Sequence, residues 1–234
     1  MRLRPVSNGM RPISELRQDI VTGEWVVVAT RRARRPHAFS RGGAPERPQP
    51  KAGCPFERIE SKAVLIYDRR GERFPARLPA GQAGPAGGRL TPLEAGRRGR
   101  PPRPRRGPLT GLTPKDRRYL ERHWWLEVVP NKYPAFRASR VCPLPAAVGP
   151  HRWLEGVGFH EVVVTRDHAR PLARMTPGEA ATVIRAYCER YLALKDEACV
   201  EYISIFHNHG YDAGATLSHP HSQIIAIPVI PPDI

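Results

Sequence analysis

The run His219-Pro220-His221-Ser222-Gln223-Ile224-Ile225-Ala226-Ile227 constrains this chain more than any other segment. Side chains two apart on an extended strand share a face, so His219, His221 and Gln223 are expected to project together. Pro220 supports extension, because proline fixes its own φ and pushes the preceding residue toward extended backbone. Upstream, Tyr202-Ile203-Ser204-Ile205-Phe206 reads as a second strand, and Asn208 to Gly214 as a glycine-bearing loop. Such a loop lets backbone N–H groups approach a ligand closely, as phosphate sites require. Three polar groups on one strand face mark either a site or an unusually wet core. A lone strand histidine is more often structural, but the dense context here favours a site.

Elsewhere short apolar runs alternate with two amphipathic stretches. Further strands are expected over residues 25–29, 64–67, 126–129 and 161–165, with the two above at 202–206 and 222–227. Thr113-Pro114 and Thr176-Pro177 each open a helix, with threonine as cap and proline just inside. The first is expected to reach Trp124 and Trp125. The second puts Val183, Ile184, Tyr187, Tyr191 and Leu194 on one face and ends at Lys195-Asp196-Glu197. Strands with few crossover helices predict an α+β fold, a largely antiparallel sheet backed by helices.

The net charge of +16 alone would suggest a partner rich in phosphates, such as nucleic acid or an anionic membrane. Much of it is concentrated: residues 77–106 carry eight arginines against the single Glu94. This stretch is rich in glycine and proline and has almost no apolar periodicity, so a disordered insertion is expected over 77–112. It lacks the interleaved aromatics of a base-stacking surface, which counts against a nucleic-acid role. Cys142, Cys188 and Cys199 show no ligand spacing and are expected as small apolar residues, with no disulfide framework. The first residues lack the apolar core of a signal peptide and no segment approaches a membrane span, which predicts a cytoplasmic protein.

The segment from Asn208 to Gln223 resembles the active-site signature of galactose-1-phosphate uridylyltransferases, the nucleotidyl-transferring branch of the histidine-triad superfamily. That branch has glutamine in place of the third histidine, as at Gln223. Four other stretches match in the family's order. Leu16 through Ala29, with Arg32-Ala33-Arg34-Arg35-Pro36, resembles its opening strand and arginine-rich turn. Cys54-Pro55-Phe56 resembles the start of its metal motif, and Pro130-Asn131-Lys132-Tyr133-Pro134 its nucleoside-contacting loop. His160-Glu161-Val162-Val163-Val164 followed by Asp167-His168 resembles the strand that ends in a metal-binding histidine.

The resemblance implies a histidine-triad-like fold and a two-step transfer. His221 would attack the α-phosphorus of UDP-glucose, release glucose 1-phosphate and hold UMP until galactose 1-phosphate takes it, with ping-pong kinetics. Imidazole suits this role because it is nucleophilic near neutral pH and departs readily from phosphorus. Gln223 would steady a non-bridging oxygen, since phosphoryl transfer depends on charge stabilisation. Asn208, Gly214 and Thr216 match the phosphate-contacting loop, Thr216 standing where serine is usual. Arg32 and Arg35 match phosphate-binding arginines, and Asn131 a nucleoside contact. A structural zinc would be held by Cys54, His168 and His219, with Glu57 where a second cysteine is usual; carboxylate is an acceptable zinc ligand. A homodimer is implied for the full-length form.

The resemblance divides the chain into 1–76 and 113–234, two parts of one histidine-triad-like domain, separated by the insertion at 77–112. Family members carry a second repeat, so a chain ending at Ile234 is expected to be truncated, with activity impaired and exposed sheet edges prone to associate. Three other readings stay open. A related adenylyltransferase or phosphorylase would use ADP-glucose or a dinucleoside polyphosphate, because the His-Pro-His-Ser-Gln unit leaves the base undetermined. The others are a metal-dependent hydrolase built on His219 and His221, and a nucleic-acid-binding protein acting through residues 77–106.

Overall fold

The computed structural model describes residues 14–28, 50–58, 63–74, 112–139, 141–208 and 217–234. The insertion expected at 77–112 lies outside these except for Leu112. In chain order the elements are β1 Glu15–Gln18, β2 Trp25–Val28, β3 Leu65–Asp68, β4 Arg73–Phe74, α1 Pro114–His123, β5 Trp124–Pro130, β6 Ala146–Val148, β7 His151–Glu155, β8 Phe159–Thr165, α2 Pro177–Leu194, β9 Tyr202–Asn208 and β10 His221–Ile227. The α+β class is as expected, but the strands form two sheets. One has six strands in the order β4-β3-β5-β8-β10-β9, the other four in the order β2-β1-β7-β6. All the pairings between these strands are antiparallel.

Of the smaller sheet only β2 has a strong strand pattern; β6 is three residues long, and β1 and β7 are short and largely charged or polar. β1 reads Glu-Leu-Arg-Gln and β7 His-Arg-Trp-Leu-Glu, and the fully buried side chains they supply are Leu16 and Leu154. Those two leucines pack with Ala135, Phe136 and Val229, joined by Trp25, Ile225 and Ile227. The smaller sheet thereby rests on the C-terminal half of β10.

The larger sheet buries both faces. On one side α2 places Val183, Ala186 and Leu194 against Leu65, Tyr67, Leu126, Val128, Val163, Ile224 and Ala226. Arg190 clamps the helix to β8 through two hydrogen bonds to the buried Glu161 carboxylate, at 2.7 and 2.8 Å. A bidentate pair of this kind fixes orientation as well as contributing energy. On the other side Leu120 of α1 joins Ile66, Trp124, Val129 and Val162, with Phe56 packed at the edge.

Both helix starts have the expected chemistry. Thr113 with Asp116, and Thr176 with Glu179, form reciprocal capping boxes, each followed by proline in the first turn. Two helix expectations are corrected. α1 stops at His123, because the apolar run beginning at Trp124 is buried on both sides as β5. On α2 the buried stripe is Thr182, Val183, Ala186 and Leu194, while Ile184 and Tyr191 are 49% and 46% exposed.

The cysteine expectation also fails. Cys142 and Cys199, 57 residues apart, form a disulfide with Cα atoms 5.1 Å apart, and Cys188 is exposed. The bridge ties the segment entering β6 to the turn between α2 and β9. Among the described residues no helix is long and apolar enough to cross a membrane.

Candidate active site

β10 has alternating burial: Ser222, Ile224 and Ala226 are buried beneath α2, while His221, Gln223, Ile225 and Ile227 are half-buried on the other face. Pairing with β8 sets His221 beside Val164, Gln223 beside Val162 and Ile225 beside His160. Cross-strand partners share a face, so His160 belongs to the surface that carries His221 and Gln223. His219 lies just before the strand, yet Phe56 touches both imidazoles, with ring centroids 5.5 Å from His219 and 5.4 Å from His221. The two rings therefore border one side of the sheet, as the alternation predicts.

His221 is oriented by its own chain. Its Nδ1 lies 3.0 Å from the carbonyl oxygen of His219. A carbonyl only accepts, so Nδ1 carries the proton and the lone pair sits on Nε2. Burial holds the His221 pKa below the ordinary imidazole value. A neutral ring with its lone pair on Nε2 is the nucleophilic form.

Gln223 is held from the side. Its Oε1 is 2.7 Å from Nε2 of His160, whose Nδ1 accepts the Ala135 N–H at 3.0 Å. The Asn131 loop closes the same group. Its backbone N–H donates to the His160 carbonyl at 2.8 Å, its Oδ1 accepts from the Tyr133 N–H at 2.9 Å, and its Nδ2 comes within 2.9 Å of His160 Nε2. Gly158 sets up this approach. At φ +146 it occupies a conformation that favours glycine, and an added Cβ would stand 2.1 Å from the carbonyl oxygen of Ala226.

A second group lies next to the histidines. Cys54, Glu57, His168 and His219 present one ligand atom each within 4.8 Å of one another. His168 Nδ1 is 2.6 Å from Glu57 Oε1, while His219 Nδ1 is 3.2 Å from His168 Nδ1, 3.5 Å from Cys54 Sγ and 3.7 Å from Glu57 Oε1. Metal–ligand bonds of about 2.0–2.3 Å in a tetrahedron separate ligand atoms by roughly 3.3–3.8 Å; the contacts of His219 with Cys54 and Glu57 fall in that range, that with His168 lies just under it, and the His168–Glu57 pair is closer. His219 Nε2 faces the Thr165 carbonyl oxygen at 2.8 Å, which puts its proton there and turns the Nδ1 lone pair toward the other three ligands. The donor set fits a metal ion. Four protein ligands also close a tetrahedron and leave no open position for an activated water, which argues against the hydrolase reading.

Not every predicted residue can be placed. Arg32, Arg35, Gly214 and Thr216 lie outside the described residues. Asn208 ends β9 opposite His221 in the backbone register. Two residues that gained no individual role from the sequence take part: Phe56, against both imidazoles, and His160, beside Gln223. His160 reaches this face through the pairing of β8 with β10, which the sequence of either strand alone does not carry.

An α+β frame thus carries a neutral histidine, a neighbouring glutamine and a four-ligand cluster side by side. Residues 152–231 match the family model described as galactose-1-phosphate uridyl transferase, N-terminal domain. In this region the chain is similar to galactose-1-phosphate uridylyltransferases. An ADP-glucose phosphorylase from Arabidopsis thaliana is 29% identical over 225 residues, covering 94% of this chain and 50% of its own length. A galactose-1-phosphate uridylyltransferase from Thermotoga maritima is 37% identical over 105 residues, covering 43% of this chain and 32% of its own length. A solved uridylyltransferase structure aligns at 23% identity with a TM-score of 0.49, over 94% of this chain and 47% of that one. The chain thus spans half the length, or less, of the curated relatives it matches.

Proposed function

We propose that this chain transfers a nucleotidyl group through a covalent nucleotidyl-His221 intermediate, with UDP-glucose as donor and galactose 1-phosphate as acceptor. The observation that carries this reading is the Nδ1–H of His221 bound to its own-chain carbonyl, which leaves Nε2 as the lone-pair nitrogen on the face it shares with Gln223. In the first step the Nε2 lone pair forms a bond to the α-phosphorus. The bond from that phosphorus to the bridging oxygen breaks, and glucose 1-phosphate leaves with the electron pair. In the second step a phosphate oxygen of galactose 1-phosphate attacks the same phosphorus, and the P–N bond returns its pair to Nε2. No proton transfer by the protein is required in either step. The contribution of the surroundings is charge stabilisation, for which an amide N–H of Gln223 is suited.

Asn131 is assigned to the nucleoside, and Arg32, Arg35, Asn208, Gly214 and Thr216 to phosphates, on the motif resemblance. Cys54, Glu57, His168 and His219 would hold a structural zinc, which when bound pins the loop of Cys54 to the segment entering β10 and so steadies the His221 backbone. The full-length form is read as a cytoplasmic homodimer. β9 lies at the edge of the larger sheet and offers backbone groups for further pairing.

A second reading has specific support. The relative that covers 94% of this chain is named ADP-glucose phosphorylase, and the contacts of His221 and Gln223 concern the phosphate chemistry rather than the base. Isotope exchange separates the two. With labelled glucose 1-phosphate and no other acceptor, label should enter UDP-glucose under the first reading and ADP-glucose under the second. Exchange into neither would remove the covalent mechanism.

A further inference from the structure

His160 stands at the start of β8, buried, on the face that carries His221 and Gln223. The backbone N–H of Ala135 can only donate, and it donates to Nδ1 of His160 at 3.0 Å. In the neutral ring the proton must then sit on the other nitrogen, Nε2. Nε2 is 2.7 Å from Gln223 Oε1, a good distance for an N–H donated to a carboxamide oxygen. Turning the carboxamide over would set an NH2 group against that N–H, two donors in contact. The Asn131 side chain already does this at 2.9 Å, because the Tyr133 N–H claims its Oδ1 and turns its Nδ2 inward. That contact joins two donors, so the acceptor for the Nε2 proton is the oxygen of Gln223.

We propose that His160 is a positioning residue that fixes the Gln223 carboxamide, committing Oε1 to its own Nε2–H and presenting the amide N–H donors to the transferring phosphoryl group. The proposal rests on nucleotidyl transfer at His221 and names the residue that makes Gln223 competent for it. An unfixed glutamine would present its oxygen or its nitrogen with similar ease, and an oxygen facing a phosphoryl oxygen repels it. A donor oriented before the reaction needs no reorganisation as charge builds, which is why preorganised dipoles stabilise transition states. Ala135 closes the Asn131 loop, so the segment assigned to the nucleoside also sets the His160 tautomer, and through it the amide beside the phosphorus. The sequence gives no hint of this, since the relay joins β8, β10 and a loop.

Two substitutions separate the donor from the scaffold. In His160→Asn the short carboxamide can still accept from Ala135 but falls short of Gln223. In His160→Gln an N–H can be placed near the position of Nε2. The initial rate of nucleotidyl loading on His221 should fall by about 10- to 100-fold in H160N, the usual cost of losing an outer-shell partner. The concentration of nucleotide sugar giving half-maximal rate should stay within about 3-fold, and H160Q should recover most of the loss. In a Gln223→Ala background H160N should have no further effect, because the two residues act as a unit. Equal losses in both backgrounds would overturn the proposal and leave His160 as scaffold.

A readout without substrate keeps this separate from the transfer reading. Two-bond proton–nitrogen correlations on the ligand-free chain, with labelled histidine, should show His160 as the Nε2–H tautomer. An Nδ1–H tautomer overturns the proposal whatever the enzyme does. The expected tautomer in a wild-type chain that loads no nucleotide would instead sink the transfer reading, and the catalytic part of this proposal with it.

Discussion

The face of β10 turned toward α2 and the face turned toward the Cys54 loop treat polar atoms differently. Under α2, Ile224 and Ala226 are fully buried, and the one polar residue between them and the turn, Ser222, has its hydroxyl bonded to Tyr187 Oη at 2.5 Å and His207 Nδ1 at 2.9 Å. The buried Ser222 hydroxyl is thus partnered internally, as a buried group requires. On the opposite face His221 and Gln223 each give one atom to an internal partner and keep the other for something else. A single alternating strand is therefore half core and half reagent. The half-satisfied groups are the ones that mark the site.

That contrast can be broken from either side. The largest effect is expected from His221→Ala, which should lower nucleotide loading by about 10³-fold or more while thermal unfolding stays near wild type. A comparable loss of folding would show His221 to be core after all. Three positions along, Ile224→Ala should do the reverse, costing about 2–5 kcal/mol in denaturant unfolding with loading per folded molecule retained. Reducing the Cys142–Cys199 bridge, or replacing Cys142 with serine, should cost about 2–4 kcal/mol. Unchanged unfolding under reductant would mean that the bridge contributes nothing to the fold.

The smallest effect concerns the start of α2. Hydrogen bonds from the Arg170 guanidinium, then from the Thr176 backbone, bring the Glu179 pKa from 4.5 down to about 2. A depressed carboxylate contributes stability that is fully present above 4.5 and is lost as pH falls toward about 2. Glu179→Gln should therefore cost about 1 kcal/mol or less at neutral pH, given that both partners are partly exposed. The gap to wild type should close as unfolding is measured at progressively lower pH across that window. A gap independent of pH would assign the effect to packing.

Much of the larger sheet was legible in the sequence because its strands carry strong signals. Val162-Val163-Val164 and Ile224-Ile225-Ala226-Ile227 are apolar runs with no helical competitor, and both helices opened with the expected Thr-Pro caps. Of the small sheet only β2 was legible, as the strand expected over 25–29, since β1 and β7 each supply one buried leucine among charged neighbours. Trp124 was misread because a sharp change from helix to strand leaves no glycine or proline as a marker. The disulfide was missed because nothing in a 57-residue separation reports that two turns meet in space. In the site, motif and alternation singled out His221, Gln223 and the set of Cys54, Glu57, His168 and His219, and the structure brings those four together. His160 depends on cross-strand register, which a single strand does not encode.

The central claim is that His221 Nε2 can bond to phosphorus. Incubating the chain with UDP-glucose or ADP-glucose and no acceptor, then mapping peptides by mass, tests it directly. One nucleotidyl group is expected on the peptide containing His221, lost in His221→Ala and removed by an added hexose 1-phosphate or phosphate acceptor. An adduct on another residue, or nucleotide turnover with His221 replaced, would contradict it.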